Sequence, residues 1–325
     1  MKIGKVSELM LTRSVFKNVT AKNENIVSGC GVGNDCSVIN ISGTNVGVVT
    51  SGVVDYAIDD SEYYTFYKAY NSMLAGGYKP VALTLNLILP IEGKEKQIKS
   101  IEKRYDELCK KHNMQIAGGH TQFSKDVNTI ITSVTIIGEK NTDFNDILKG
   151  ESEIQLVMTK ALGIEGTAII AKDEEANLRE RFNGRFCDEC LGFKQYVSVE
   201  KEAKIAADFG TFKMHDLSAG GVFAAIWEMA SFFGMGAEID MRAIPVWQET
   251  IEVTELFGIN PYRMVSQGSL LIATHDGEGL VELLSENDIP AAVIGTLTEG
   301  NDKVLFNNGE KRFLESPRGD DIYEK

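Results

Sequence analysis

Two aspartates carry the chemistry this sequence offers most openly. Asp35 closes the run Gly29-Cys-Gly-Val-Gly-Asn-Asp35, and Asp216 opens Asp216-Leu-Ser-Ala-Gly-Gly221. Glycine lets backbone N–H groups crowd an anion and turn sharply, so Gly31 and Gly33, and later Gly220 and Gly221, suit phosphate oxygens. A carboxylate beside such a loop can hold the Mg²⁺ that accompanies a nucleotide. The first loop is not a P-loop, because no Gly-Lys-Ser/Thr follows, and not a dinucleotide fingerprint, which follows a strand and opens a helix. A plain tight turn is the competing reading. Gly163, between a strand and a helix start, could form a second anion site. His120, His215, Cys36 and Asp35 are candidate metal donors, and of these imidazole and thiolate suit Zn²⁺ better than Mg²⁺. They lack a recognisable ligand spacing, so packing for His120 and a place before a helix cap for His215 are the favoured readings. Cys187-Asp-Glu-Cys190 is a C-x-x-C without a second pair, and two thiols near a helix start is favoured over a redox or metal role.

The elements that must position these residues follow from periodicity. The β-branched runs 38–41 and 46–50 read as a hairpin around Ser42-Gly-Thr-Asn45. A helix is expected over 61–74, closed by Gly76-Gly77, then a strand over 81–89 and a charged helix over 94–112 with Ile98, Ile101, Tyr105 and Leu108 on one face. Strands at 114–117 and 129–137 complete a first unit with a largely consecutive sheet. The polar stretch 141–153 is the expected boundary, dividing the chain into domains 1–150 and 151–325. The second half reads as strands at 154–158, 238–240, 269–273, 293–297 and 304–306. Helices are expected at 174–181, 199–209, 222–230, 249–257 and 277–284, with Asp216 or Ser218 capping the helix after Gly221.

Bulk properties narrow the partners. The 325 residues suffice for two cored domains, with 43% hydrophobic and 25% charged residues. A net charge of −14 argues against nucleic acid, which needs a basic face. No apolar run reaches the ~20 residues of a membrane span, and the first residues lack a signal-peptide core. Five cysteines, an odd number, fit a reducing compartment. The expectation is a cytoplasmic protein.

Nine segments in order resemble the AIR synthase-related (PurM-like) superfamily, nearest to its hydrogenase-maturation, HypE-type branch. They are Gly31-Val-Gly-Asn-Asp-Cys-Ser-Val38, Asn71-Ser-Met-Leu-Ala-Gly-Gly-Tyr-Lys-Pro80, Ala117-Gly-Gly-His-Thr121, the 159–168 run, Met214 to Val222, Ile226-Trp-Glu-Met-Ala230, Ile244-Pro-Val246, Gly258-Ile-Asn-Pro261 and Ser266-Gln-Gly268. The resemblance implies an α+β, two-domain fold, a homodimer whose N-terminal sheets form a barrel, and a C-terminal α/β domain. It also implies ATP between the domains, used with Mg²⁺ to activate an amide- or carbonyl-type oxygen of a small substrate, and contacts with other maturation proteins. Asp35 and Asp216 would be its catalytic and metal-holding residues. Gly31, Gly33, Asn34, Asn71, Gly118, Gly119, His120, Thr121, Lys160, Gly163, Gly220 and Gly221 would join them around the nucleotide.

The sequence departs from that pattern at the chemistry. The family's acidic pair in the glycine loop is here Asn34-Asp35, its Thr-Asp step is Ser51-Gly52, its Asn-Asp step is Asn71-Ser72, and its Gly-Gly-Asp/Glu-Thr turn is Gly118-Gly119-His120-Thr121. Asp55 is a candidate replacement. Losing these carboxylates weakens an oxygen-ligand Mg²⁺ site. The chain ends Ser316 to Lys325 without the cysteine that HypE-type chemistry uses. The expectation is a protein that is not a true HypE. It is either an ATP-dependent enzyme on a free substrate or a catalytically degenerate homodimeric binding or scaffold protein.

Overall fold

The computed structural model describes residues 3–56, 60–141, 144 and 153–324. The expected domain boundary at 141–153 lies almost wholly outside the described residues.

The first half holds α1 (Glu8–Ser14), β1 (Ile26–Ser28), β2 (Ser37–Ile41), β3 (Thr44–Thr50), α2 (Ser61–Ala75), β4 (Tyr78–Pro90), α3 (Glu95–Lys111), β5 (Gln115–Ser124) and β6 (Ile131–Lys140). The hairpin forms as expected, but its turn is only Ser42 and Gly43, both at positive φ, so Thr44 and Asn45 already belong to β3. The sheet order is β1-β2-β3-β6-β4-β5, which corrects the expectation of a consecutive sheet. β6 inserts between β3 and β4 and pairs antiparallel with both. That leaves β5 parallel to β4, joined through α3, because a parallel pair needs a crossover rather than a hairpin. The Gly118 to Thr121 segment, expected as a turn, runs inside β5 at the sheet edge and is exposed.

Beyond an irregularity at Pro80 to Ala82, β4 alternates, with Leu83, Leu85, Leu87 and Leu89 buried on one face. α2 and α3 cover that face. On the other, Ile137 and Val81 stay partly exposed and no helix among the described residues lies over them. α2 is buried on nearly every side: Tyr64 sits beside Ala168 and Ile169 of the second half, Phe66, Tyr67 and Tyr70 pack around His112 at the end of α3, and the helix also meets β8 and α7.

That second half holds β7 (Gln155–Thr159), α4 (Ile164–Asp173), α5 (Glu175–Arg181), α6 (Gly184–Gly192), α7 (Glu200–Phe209), β8 (Lys213–Asp216), α8 (Gly221–Phe233) and β9 (Gly236–Asp240). α9 (Gln248–Phe257), β10 (Leu270–Thr274), α10 (Gly277–Ser285), β11 (Ala291–Thr298), β12 (Lys303–Asn307) and β13 (Glu310–Phe313) complete it. The sheet order is β13-β12-β9-β11-β7-β10-β8. Its central strands are buried on both faces: Leu156, Met158, Leu271 and Ala273 meet α8, while Val157, Leu270 and Ile272 meet α7 and α10. β8, α1, β1 and β13 were not foreseen, while α6 begins just ahead of Cys187 and Cys190, where a helix start was expected. β8 hides because Lys213, His215 and Asp216 look like surface residues, yet all four of its residues are buried.

The two halves are tied at Asn71. Its fully buried amide donates to Val197 O (2.8 Å) and accepts from Val199 N (3.3 Å), closing the entry to α7 onto α2. Asn71→Ala would strand both backbone groups in a dry contact, and we expect a loss of about 1–3 kcal/mol in urea unfolding. A loss under about 0.5 kcal/mol would mean that water reaches the contact.

Candidate functional site

The glycine loop and the end of β8 meet over α8. Gly33 makes the approach possible: its φ is +68°, and a Cβ there would lie 2.5 Å from the Glu228 carbonyl. The loop thereby sets Asp35 against β8. Asp35 Oδ1 stands 2.6 Å from His215 Nδ1, an ion contact poorly aligned for a hydrogen bond, and its Oδ2 is 3.5 Å from Lys213 Nζ. The far side of the imidazole, Nε2, is 3.1 Å from Glu228 Oε2, and the other oxygen of Glu228 pairs with Lys5. An alternating chain of charge therefore runs Lys5–Glu228–His215–Asp35–Lys213.

Asp216 sits beside it. Its Oδ1 accepts from Ser72 Oγ at 2.8 Å, while its buried Oδ2 has no hydrogen-bond partner among the described residues. Burial opposes charge on His215, but the Asp35 and Glu228 carboxylates raise its pKa to about 10. Burial likewise opposes charge on Glu228, yet Lys5 and the imidazolium lower its pKa to about 2. Burial, then repulsion from Asp35, lifts Asp216 to about 6. Three acids (Asp35, Asp216, Glu228) face three cations (Lys5, Lys213, His215), so the cluster is self-neutral. It opens on a cleft of about 210 Å³ lined by Gly31, Gly33, Asn34, Trp227 and Pro317.

Asp35, His215 and Asp216 can each turn one atom to a common point, all within 4.8 Å of one another. This donor set does not fit Mg²⁺, which demands near-octahedral oxygen ligation. Asp35 spends both oxygens on Lys213 and His215, an imidazole nitrogen is a poor ligand for a hard cation, and Ser72, which bonds Asp216, brings no carboxylate. Only Asp216 Oδ2 is uncommitted. A protonated imidazole is no better a ligand for Zn²⁺.

The other expected site residues scatter. Asn34 braces the loop, donating to Ser28 Oγ and Gly29 O, and Asn71 is consumed at the interface already described. Gly118, Gly119, His120 and Thr121 lie on the exposed edge strand β5, where His120 meets Gln122 and is outside the Asp35 cluster. Cys36 is buried beside Met73 Sδ, its thiol pushed up to about 11 by burial, so it too is no partner of Asp35 in a metal site. Lys160 gives its ammonium to Tyr196 O, Ser198 O and Glu202. The anion site expected at Gly163 is filled by protein: Gly163 N donates to Ser266 Oγ and Gly166 N to Val265 O. Gly220 and Gly221 do open α8, yet the cap is neither Asp216 nor Ser218. Asp320, a hundred residues away, accepts Gly220 N (2.6 Å), Val265 N (3.1 Å) and Ile322 N (2.9 Å). Asp55 is engaged by the Tyr323 hydroxyl, and Cys187 and Cys190 are buried on α6. Sequence reasoning missed Lys5, Lys213 and Glu228. The available signals were that Lys213 directly precedes the Met214 to Val222 segment and that Glu228 lies inside the Ile226 to Ala230 segment.

Two family profiles match the chain: AIR synthase related protein, N-terminal domain, over residues 33–139, and AIR synthase related protein, C-terminal domain, over residues 153–307. A putative hydrogenase expression/formation protein of Methanocaldococcus jannaschii is 26% identical over 259 residues, 78% of this chain and 75% of that protein. Phosphoribosylformylglycinamidine synthase subunit PurL of Pyrobaculum calidifontis is 27% identical over 252 residues, 73% of this chain but only 34% of PurL. Among solved structures, a HypE–HypF complex superposes with a TM-score of 0.73 at 19% identity, covering 94% of this chain and 99% of that one. A HypE in complex with ATP gives 0.64 at 17% identity, covering 87% and 88%.

The ion chain has a pH signature. His215 has a folded pKa near 10, above its unfolded value near 6.5, so its stabilisation is fully present below pH 6.5 and is lost as pH rises through 10. Glu228→Gln removes one of the two flanking carboxylates and should lower the imidazole pKa, read by NMR titration of the ring. An unchanged titration would show that Glu228 does not act on His215.

Proposed function

The chain belongs to the AIR synthase-related family, and we propose that it is a maturation-type member binding a nucleotide in the glycine-loop cleft without the divalent-metal cage of an active enzyme. In this reading it is a catalytically weakened ligand-binding or scaffold protein on an enzyme's fold. The observation that carries it is the commitment of Asp35 to His215 and Lys213. A divalent ion would have to displace two buried cations to reach that carboxylate, and stripping a buried charge of its partner typically costs 3–5 kcal/mol. Nucleotide binding is supported by the backbone donors around Gly31 and Gly33 and by relatives solved with ATP.

One feature favours a second reading, ATP-dependent activation of an amide- or carbonyl-type oxygen. The unpartnered Oδ2 of buried Asp216 is a vacant acceptor beside the cleft, the kind of group phosphoryl transfer uses to place a cation or a proton. Calorimetry with ATP separates the two. Weak binding, altered less than about threefold by Mg²⁺, is expected on the first reading, since a threefold change is under 1 kcal/mol. Tight, Mg²⁺-dependent binding that is lost in Asp35→Ala would overturn it in favour of the second.

We also propose a homodimer formed through the sheet face opposite α2 and α3, supported by the partial exposure of Ile137 and Val81 there. Ile137→Glu should convert a dimer to a monomer in light scattering at unchanged helix content. A monomeric parent chain, or a dimeric variant, would contradict this.

A further inference from the structure

A larger groove, of about 1340 Å³, lies apart from the Asp35 cleft. The end of α3, the segment from α6 to the start of α7, the first turn of α9 and the 287–290 turn line it. Its aromatic wall is built with care for angle. Trp247 meets Phe193 at 4.7 Å and 75°, and Tyr196 at 5.4 Å and 74°, so both neighbours stand nearly edge-on to the indole. Phe193 is buried, while Tyr196 is 42% exposed. The wall is fixed from below: buried Lys160 pairs with buried Glu202 at 2.7 Å and donates to the carbonyls of Tyr196 and Ser198 at 2.8 Å each. Lys160, expected at a nucleotide, thus positions this wall.

Charge in the groove is lopsided. Six acids line it against four lysines and arginines and His112, and four of the acids are paired within the protein: Glu189 with Arg185, Glu202 with Lys160, Asp188 with Arg179 and Glu200 with His112. Three of the four lysines and arginines are already engaged: Arg185 by Glu189, Lys160 by Glu202, and Lys111 by the Tyr67 hydroxyl. Glu249, two residues after Trp247, has no ion-pair or hydrogen-bond partner among the described residues. An exposed tyrosine and a half-buried tryptophan sharing a groove with an unpaired carboxylate suit a cation that is also planar. A guanidinium stacks on rings and pairs with carboxylates, which a compact ammonium does less well. The volume exceeds the ~300–1,000 Å³ of small-molecule pockets, which favours a length of chain over a metabolite. The net charge of −14 steers basic partners toward the protein.

We propose that this groove docks an arginine-bearing segment of a partner protein, one guanidinium resting against Trp247 and Tyr196 and pairing with Glu249. The site is independent of the nucleotide cleft, so it stands whatever becomes of that reading.

The chain has two tryptophans, Trp227 in the Asp35 cleft and Trp247 here. In Trp227→Phe, indole emission reports on the groove alone. The capped peptide (Arg-Gly)₃ is titrated against the full-length chain, by emission in that variant and by calorimetry in the parent, with (Glu-Gly)₃ as control. Saturable binding of the arginine peptide only, weakened about tenfold by Glu249→Gln, is expected, a size typical of one charge-assisted contact. The proposal is overturned if no binding occurs at millimolar peptide, if Glu249→Gln binds as well as the parent, or if the acidic peptide binds equally. It also fails if tetramethylammonium binds as tightly as the peptide, because the groove is then a cage for small cations.

Discussion

The contact on which this structure turns is the bracket of His215 between two carboxylates. Burying an imidazolium is costly unless both of its nitrogens find negative charge. Here Asp35 arrives on the glycine loop and Glu228 on α8, one from each half of the chain. The outer ends of the chain are then closed by Lys213 and Lys5. Each charge is compensated by its neighbours, and removing any one leaves another uncovered in a dry place. The same arrangement explains why the loop needs glycine at position 33, since any side chain there would push Asp35 away from β8.

The bracket also depends on α2. That helix lies between the first sheet and the second half, and Ser72 on it hydrogen-bonds Asp216 while Asn71 fastens the approach to α7. Two positions that the family pattern furnishes with carboxylates are here Ser72, which donates a hydrogen bond, and Asn34, whose amide braces the glycine loop. The charges that line the cleft are satisfied within the protein. At the start of α4, Ser266 Oγ and Val265 O take the N–H groups of Gly163 and Gly166, and Asp320 takes that of Gly220 ahead of α8.

Much of the fold was legible because its signals are local. The apolar content of β4, the apolar face of α3 and the glycine stop of α2 each declare themselves within a few residues. β8 was invisible for the opposite reason: its polar residues are buried only because partners come from residues 5, 35, 72 and 228. The insertion of β6 between β3 and β4 is likewise a long-range choice. Of the site, Asp35, Asp216 and the glycine loops were readable, since their chemistry is written in single residues and spacing. The cations that neutralise them were not, because nothing in Lys5 or Lys213 alone distinguishes a buried ion-pair lysine from a solvated one. His120 and Cys36 showed the converse, reactive types whose surroundings give them no chemistry.

The central claim is that protein cations occupy the role a divalent ion would have beside Asp35 and Asp216. Electron paramagnetic resonance of Mn²⁺ added to the protein, with Asp216→Asn alongside, tests it most directly. The account predicts a free-ion spectrum at micromolar Mn²⁺ for parent and variant alike. A bound-ion spectrum of one equivalent that disappears in Asp216→Asn would contradict it and restore a metal-dependent site.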